Sequence, residues 1–233
     1  MSSQAYKQTS EICVLSTAQD DIILEYVAGH LSPAKHAIMS CAVELNEDLA
    51  ESVSLQTAMA SVFLDEVRAE PLSQHFMDEA FDKISFCPSK FPANDMLTVD
   101  ENIMQTSIHT FIDKAGLDAI QWKPLIPGVA VHDILGNRKM KDGDRLYLLK
   151  AKGGMCIPEH SHRGEEWSLI LTGGYQVDGK TYRRGDLHIE DETTGAHSPE
   201  IAEGEDCICL VMIEGPLIMK RWIPKLVQRI VGI

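Results

Sequence analysis

Apolar residues at helical spacing mark the amino-terminal third of the chain. Five of them recur every three or four residues, as on one face of an α-helix: Ile38, Cys41, Leu45, Leu49 and Val53. Ser32-Pro33 precedes them as an N-cap with Pro at the first helical position. We predict a helix that starts here and continues to about Arg68, flanked by shorter helices over 20–29 and 73–84.

From Trp122 onward the pattern changes to short apolar runs separated by turns that contain Gly. Asp178-Gly179 between two such runs predicts a hairpin, and 207–213 predicts a further strand. Repeated short strands favour an antiparallel sandwich or barrel. Because the helices come first and the strands second, we expect an α+β chain in which a small all-α domain precedes an antiparallel β-barrel.

The change of pattern divides the chain into four segments. Residues 1–19 are polar and lack a period, which predicts a mobile leader, and residues 20–85 form the predicted helical domain. Residues 86–102 combine Pro, Asn and Asp without a period, which predicts a linker. Residues 103–233 form the predicted β domain, with a further helix expected over 101–114.

Composition and charge restrict the class of protein. The chain has 233 residues, of which 44% are apolar and 24% charged, as in soluble globular proteins. No apolar run approaches the roughly 20 residues of a membrane helix, and no signal-peptide core is present, so we expect a cytoplasmic protein whose six cysteines are mostly reduced. The net charge of −14 argues against direct nucleic-acid binding and favours a basic partner surface.

His160 and His162 carry the strongest candidate chemistry. They are two residues apart, so on a β-strand both imidazoles leave the same face, and Glu166 has the same parity. Two imidazoles and a carboxylate are good ligands for divalent first-row metals. His197, after a Gly turn, is the natural fourth ligand. We therefore predict one divalent ion held by these four residues.

Other residues compete for these roles. Glu165 is the rival for the carboxylate, although its parity is wrong, and His188 is the rival for the fourth ligand, although it also suits an ordinary strand position. Cys207 and Cys209 share one strand face and form either a redox or metal pair or, as we favour, two small buried residues. The sequence leaves open a bridge from Cys156 to either.

The metal motif resembles the first signature of the cupin superfamily, which is Gly, five residues, His-x-His, three residues, Glu, six residues and Gly. Its fixed positions fall on Gly154, His160, His162, Glu166 and Gly173. A looser second signature falls on 183–186 and His197. The resemblance implies a cupin, that is, a double-stranded β-helix or jelly roll.

Further motifs narrow the resemblance. The segments Leu24-x-Tyr26-Val27-Ala28-Gly29-x-Leu31-Ser32, 204–210 and 215–217, together with the cupin motif, are similar to the ChrR family of anti-sigma factors. That family implies a helical domain that clasps an extracytoplasmic-function (ECF) sigma factor and a cupin that binds zinc and responds to oxidative stress. It implies His160, His162, Glu166 and His197 as zinc ligands, while nickel, manganese and iron also suit these ligands.

A second zinc motif of the family is missing. Aligned from Tyr26, its ligand positions fall on Ala42, Asn46 and Leu49, with an earlier histidine near Thr17. None of these side chains binds zinc as the motif requires. We therefore expect no zinc in the helical domain, and any sigma factor must be bound through an apolar face.

Three interpretations follow from the sequence. The leading one is a ChrR-like regulator that sequesters an ECF sigma factor, partly through the stripe that includes Ile38 and Leu45, with the cupin as a stress or ligand sensor. The alternative is a metal-dependent cupin enzyme, for example a dioxygenase. The third is a metal-stabilised module that only forms a homodimer. The sequence favours a regulator over an enzyme.

Overall fold

The fold begins with helices and continues with strands. In the computed structural model the described residues are 17–65, 67–73, 75–85, 114–134, 144–215 and 218–219. Five helices are described: α1 Thr17–Val27, α2 Pro33–Leu45, α3 Glu47–Asp65, α4 Phe76–Ser85 and α5 Lys114–Asp118. Of the leader predicted over 1–19, residues 1–16 lie outside the described residues. The linker predicted over 86–102 and residues 101–113 of the helix expected over 101–114 also lie outside them.

Local chemistry explains where α1 ends and α2 begins. Gly29 has φ 71°, a left-handed conformation that glycine adopts at low cost, and it follows the last turn of α1. The Ser32 hydroxyl then accepts a hydrogen bond from the Lys35 backbone N–H at 3.4 Å, and Pro33 occupies the first helical position. The predicted start of this helix is confirmed.

The single long helix predicted after Pro33 is two helices. Asn46 leaves the helical conformation, with φ −129° and ψ 107°, although its N–H still bonds the Ala42 carbonyl. Its side-chain Oδ1 accepts the Leu49 N–H at 3.1 Å and thereby caps α3. The apolar stripe runs through the break because both helices contact the same core, so periodicity alone does not reveal the interruption.

Eleven strands are described: β1 Lys123–Ile126, β2 Val129–Asp133, β3 Arg145–Ala151, β4 His160–Ser161, β5 Glu166–Thr172, β6 Gly174–Val177, β7 Lys180–Arg183, β8 Leu187–Glu190, β9 Glu200–Ile201, β10 Cys207–Ile213 and β11 Ile218–Met219. They form antiparallel sheets in the orders β1-β2-β3-β10-β5-β8, β7-β6-β9 and β11-β4. The described strands do not close into one continuous barrel, but helices followed by antiparallel sheets confirm the predicted α+β class.

The hairpin expected at Asp178-Gly179 is confirmed. Both residues have positive φ, 49° and 77°, which suits a two-residue turn between antiparallel strands. β6 and β7 pair from Gly174 with Arg183 to Val177 with Lys180. The turn therefore fixes the register that brings Tyr175 opposite Tyr182 in the three-stranded sheet.

Strand β10 separates two apolar cores by its alternation. Ile208, Leu210 and Met212 belong to the core shared with the helices. Cys207 and Cys209 belong to a second core, enclosed between the six-stranded and three-stranded sheets. Because side chains on a strand alternate between faces, one continuous apolar run serves both cores.

The helical segment packs directly on the outer face of the six-stranded sheet. The shared core combines Ile23 and Ile38 from the helices with Leu148, Trp167 and Leu210 from the strands. The stripe expected to be shared with a partner is therefore already covered within the chain. Its remaining members are buried or partly buried in this core: Cys41, Leu45, Leu49 and Val53. Among the described helices, none is long and apolar enough to cross a membrane.

Candidate metal centre

Backbone pairing brings the first and last histidines of the candidate site together. His160 lies on β4 and forms an isolated antiparallel bridge with His197. The His160 N–H donates to the His197 carbonyl at 3.1 Å, and the His197 N–H returns a bond to His160 at 3.0 Å. Because directly opposed residues on paired strands share a face, the two imidazoles meet.

The three predicted histidines form one buried cluster. The ring centroid of His160 lies 5.1 Å from that of His162 and 4.4 Å from that of His197, and the last two are 5.1 Å apart. Their candidate ligand atoms lie within 4.8 Å of one another, and the residues are only 6%, 6% and 5% exposed. Three imidazole nitrogens at this separation could hold one metal ion.

The tautomer of His160 suits a ligand. Its Nδ1 lies 2.8 Å from the Pro158 carbonyl, which accepts hydrogen bonds and cannot donate them. Nδ1 therefore carries the proton, and the lone pair of Nε2 is available for a metal. Burial is the main cause that lowers the pKa of His160, to about 4, so the ring stays neutral at physiological pH.

His162 provides the test of whether a metal fits. Both of its ring nitrogens are buried without a hydrogen bond, and the same holds for Nδ1 of His197. Buried polar atoms normally have a partner, because leaving one unpaired costs free energy. A metal ion would satisfy one nitrogen of His162, since an imidazole binds a given ion through a single nitrogen, and the donor set therefore fits a divalent cation.

Glu166 lies where its parity predicts. Its Oε2 is 3.3 Å from Nδ1 of His162, and its Oε1 accepts a hydrogen bond from the Ser168 hydroxyl at 3.2 Å. Burial raises the pKa of Glu166, and His162 partly opposes this shift. A buried carboxylate with a raised pKa needs a cation nearby to stay ionised.

The rival carboxylate, Glu165, faces the other side of the strand. Its Oε2 accepts a hydrogen bond from Nε1 of Trp167 at 2.7 Å and pairs with Nζ of Lys35 at 3.0 Å. Glu165 therefore connects the sheet to helix α2 and does not point into the histidine cluster.

Glu190 is the site residue that sequence reasoning missed. It is 5% exposed, and its Oε2 lies 3.2 Å from Nε2 of His162 and 2.9 Å from Nε2 of His197. Its Oε1 lies 3.2 Å from Nε2 of His188, the residue considered as a rival ligand. Glu190 and His188 are two apart on β8, so strand parity was a signal that could have indicated that both face the interior.

The contacts of Glu190 set the charge of the cluster. Burial alone would raise its pKa, but the contacts with His162, His188 and His197 outweigh burial and lower it well below its usual range. Burial would likewise lower the pKa of His197, yet Glu190 raises it. The cluster therefore contains an ionised carboxylate beside imidazoles, which is an environment that attracts a cation.

Three cysteines near the site are free thiols. Cys207 and Cys209 are buried, and their Sγ atoms are 3.6 Å apart. The thiol of Cys207 and burial raise the pKa of Cys209 well above its usual value, so this thiol is protonated. Cys156 is exposed, and its Sγ lies 3.4 Å from the Ser198 hydroxyl. Cys207 and Cys209 lie in the second core, which agrees with the favoured interpretation that they are two small buried residues.

The residues at the positions of the missing second zinc motif have structural roles. Ala42 and Leu49 are buried in the core shared with the sheet, and Asn46 ends α2 and caps α3. Within the described part of the chain, the group formed by His160, His162 and His197 is the one set of three or more potential ligands close enough to share an ion.

Comparison with known proteins identifies the region that holds this cluster. Residues 114–217 match the family described as the ChrR cupin-like domain. This region is therefore similar to ChrR-type cupin-like domains. The predicted resemblance to the ChrR-like family is thus confirmed, and the cupin-like domain contains all four residues proposed from spacing.

Two relatives extend the similarity beyond the cupin-like domain. The anti-sigma-E factor ChrR of Cereibacter sphaeroides is 25% identical over 222 residues, which make up 90% of this chain and 94% of that protein. The crystal structure of Rhodobacter sphaeroides SigE in complex with the anti-sigma ChrR matches with a TM-score of 0.62 and 22% identity, over 83% of this chain and 96% of that chain. The ChrR-like fold therefore includes the helices as well as the sheets.

Proposed function

We propose that this chain is a ChrR-like anti-sigma factor, which sequesters an ECF sigma factor, and that its cupin-like domain is a metal-binding sensor. The observation that carries the proposal is the similarity to the anti-sigma-E factor ChrR over 90% of the chain, helices included. A partner that works with RNA polymerase places the chain in the cytoplasm.

The surface that we assign to the sigma factor lies on α3 and α4. Four residues follow one face of α3 at helical spacing and are more than half exposed: Leu55, Met59, Val62 and Phe63. Phe76, Met77 and Phe81 are exposed on α4. Large apolar side chains that are exposed together typically mark an interaction surface. We call these seven residues the α3/α4 surface.

This surface differs from the stripe of Ile38 and Leu45, which the sheet already covers. The two sets of apolar residues have different contacts. The apolar face of α2 packs on the cupin-like domain. The apolar residues of the α3/α4 surface are exposed and available to a partner. Asp78, Glu79 and Asp82 add acidic charge along α4. Together with the net charge of −14, they favour a basic partner and make association sensitive to salt.

We further propose that His160, His162, Glu166 and His197 bind one divalent ion per chain. Zinc is the first choice, and nickel, manganese and iron are compatible with imidazole and carboxylate ligands. The bound ion would fix the position of β5, and Glu165, the residue before β5, contacts Lys35 of α2. A stress signal that alters the ion or its ligands would thereby reach the helices, and oxidative stress is the signal that the family resemblance favours.

The test is pairwise co-expression with each ECF sigma factor of the same genome, followed by affinity capture. We expect the wild type to retain one of them at low salt. Phe63→Asp, which places a charge on the α3/α4 surface, should weaken the complex at least about tenfold. Leu24→Asp is the matched control, because Leu24 is 57% exposed on α1, outside that surface.

The contrary results are well defined. If the wild type captures none of these sigma factors at low salt, the chain is not an anti-sigma factor. If Phe63→Asp binds as tightly as the wild type, the α3/α4 surface is not the interface. Turnover of a substrate by the metal-loaded chain would instead support the alternative, a metal-dependent cupin enzyme, since the same ligand set suits both functions.

A further inference from the structure

Two glutamates face each other across a pair of strands in the metal centre. β5 and β8 pair so that Glu166 is directly opposite Glu190. Their side chains leave the same face of the sheet, and both approach the ring of His162. Like charges directly opposite each other on a sheet are destabilising unless a cation lies between them. This register therefore favours positive charge at the site.

The contacts of His162 with the two glutamates do not have the geometry of hydrogen-bonded ion pairs. An imidazolium would donate a hydrogen bond from each ring nitrogen to a carboxylate. Neither nitrogen of His162 makes a hydrogen bond, although Glu166 lies at 3.3 Å and Glu190 at 3.2 Å. The oxygens lie beside the ring nitrogens without lying along the N–H directions.

The distances fit donors gathered around one ion. Ligand atoms about 2.0–2.2 Å from a metal lie about 2.8–3.1 Å from their neighbours in octahedral geometry and about 3.3–3.6 Å in tetrahedral geometry. Oε2 of Glu190 lies 3.2 Å and 2.9 Å from the Nε2 atoms of His162 and His197. Nε2 is also the nitrogen that His160 leaves available. Glu190 is thus placed as a neighbour of the Nε2 donors.

A chain of contacts holds Glu190 in this orientation. The Tyr175 hydroxyl lies 2.9 Å from Nδ1 of His188, whose Nε2 lies 3.2 Å from Oε1 of Glu190. A carboxylate only accepts hydrogen bonds, so Nε2–H of His188 donates to Glu190, while Nδ1 of the same ring contacts the Tyr175 hydroxyl. Because Oε1 is engaged in this way, Oε2 is directed toward His162 and His197. Outer contacts of this kind orient ligands in metal sites.

We propose that Glu190 is a second carboxylate ligand of the metal centre, positioned by His188 and Tyr175, so that the ion has three imidazole and two carboxylate donors. Two carboxylates also balance the charge of a divalent ion in a buried site. Five donors favour a five- or six-coordinate ion over a closed tetrahedral one. The inference rests on the proposed metal centre and is independent of sigma binding.

The test uses the full chain loaded with Co²⁺, whose visible absorption reports coordination number. Glu190→Gln, a substitution of nearly equal size, should lower Co²⁺ affinity at least about tenfold in competition with a chelator. It should also strengthen the visible bands, since ligand-field bands intensify when coordination number falls. His188→Asn should weaken binding less, because His188 acts through Glu190. Glu192→Gln is the control, since Glu192 is exposed in the turn after β8.

If Glu190→Gln binds Co²⁺ with wild-type affinity and an unchanged spectrum, Glu190 is not a ligand and the proposal is overturned. If Glu190→Gln does not fold, Glu190→Asp replaces it, since it keeps the charge and shortens the reach. An altered spectrum for Glu190→Asp supports the proposal, and an unchanged one overturns it. Capture of the sigma factor by the wild type is measured separately, so failure of the anti-sigma function is distinguishable from failure of this assignment.

Discussion

At the scale of single residues, Gly185 is a point where the helices and the sheet touch. Its φ is 89°, and a Cβ atom there would lie 2.8 Å from the carbonyl oxygen of Leu45. The Gly185 carbonyl accepts a hydrogen bond from Nδ2 of Asn46 at 3.4 Å. Glycine is needed here for its left-handed backbone and for the close approach of the end of α2.

Gly185→Ala should destabilise the chain by about 2–4 kcal/mol, since left-handed strain and a backbone clash add together. Gly179→Ala is the matched control: its φ is 77°, but nothing lies within 4 Å of its added Cβ. The control should cost only the strain, about 1–2 kcal/mol. Urea unfolding measures both values. If both substitutions lowered the free energy of unfolding equally, the close approach of Gly185 to Leu45 would not contribute to holding the helices on the sheet.

At the scale of elements, α2 is attached to the sheet by a charged clamp as well as by its core. Nζ of Lys35 lies 3.0 Å from Glu165 and 2.7 Å from Glu214. Burial alone would lower the pKa of Lys35, but the two carboxylates raise it. Burial would raise the pKa of Glu214, and the Lys35 contact lowers it. The clamp joins the ends of β5 and β10 to the first turn of α2.

Lys35→Met should cost about 1–2 kcal/mol at pH 7, because it leaves two carboxylates without their partly buried cation. Lys150→Met, which removes the more exposed pair with Asp206, should cost at most about 0.5 kcal/mol. Since the folded pKa of Glu214 is lowered, its contribution is present above about pH 4.3 and is lost as pH falls below that value. Unfolding of the wild type and of Lys35→Met is compared from pH 7 down to about pH 2.5; a difference in stability that stays constant below about pH 4.3 would argue against the clamp.

At the scale of the whole molecule, the metal centre joins segments that are distant in sequence. His162, Glu190 and His197 come from different parts of the cupin-like domain and meet in its interior. In the unfolded chain these ligands are dispersed, so an ion binds the folded state preferentially. Metal binding should therefore raise the free energy of unfolding of the domain.

Removing the ion should lower the unfolding temperature. With free Zn²⁺ at about 1,000 times its dissociation constant, the folded state gains about 4 kcal/mol, which a chelator abolishes. Differential scanning calorimetry with and without chelator measures this shift. His160→Ala is the control, and its unfolding temperature should change little with Zn²⁺ or with the chelator. An unfolding temperature of the wild type that does not change with either reagent would contradict the metal centre.

Local features of this protein follow from short stretches of its sequence. Parity placed His160, His162 and Glu166 on one face and excluded Glu165, because the side-chain period of a strand is a property of the backbone. The N-cap at Ser32 and the turn at Asp178-Gly179 were likewise fixed by residues within a few positions of each other. Such features depend on short stretches of chain, which the sequence displays in full.

Tertiary structure decided which surfaces meet. An apolar stripe shows that Ile38 will be buried but does not name its neighbour, and here the neighbour is the six-stranded sheet. Glu190 lies beside the histidine cluster because of the register between β5 and β8, which sets it opposite Glu166. Register depends on hydrogen bonds between strands separated in sequence, and a one-residue shift would turn the carboxylate to the other face.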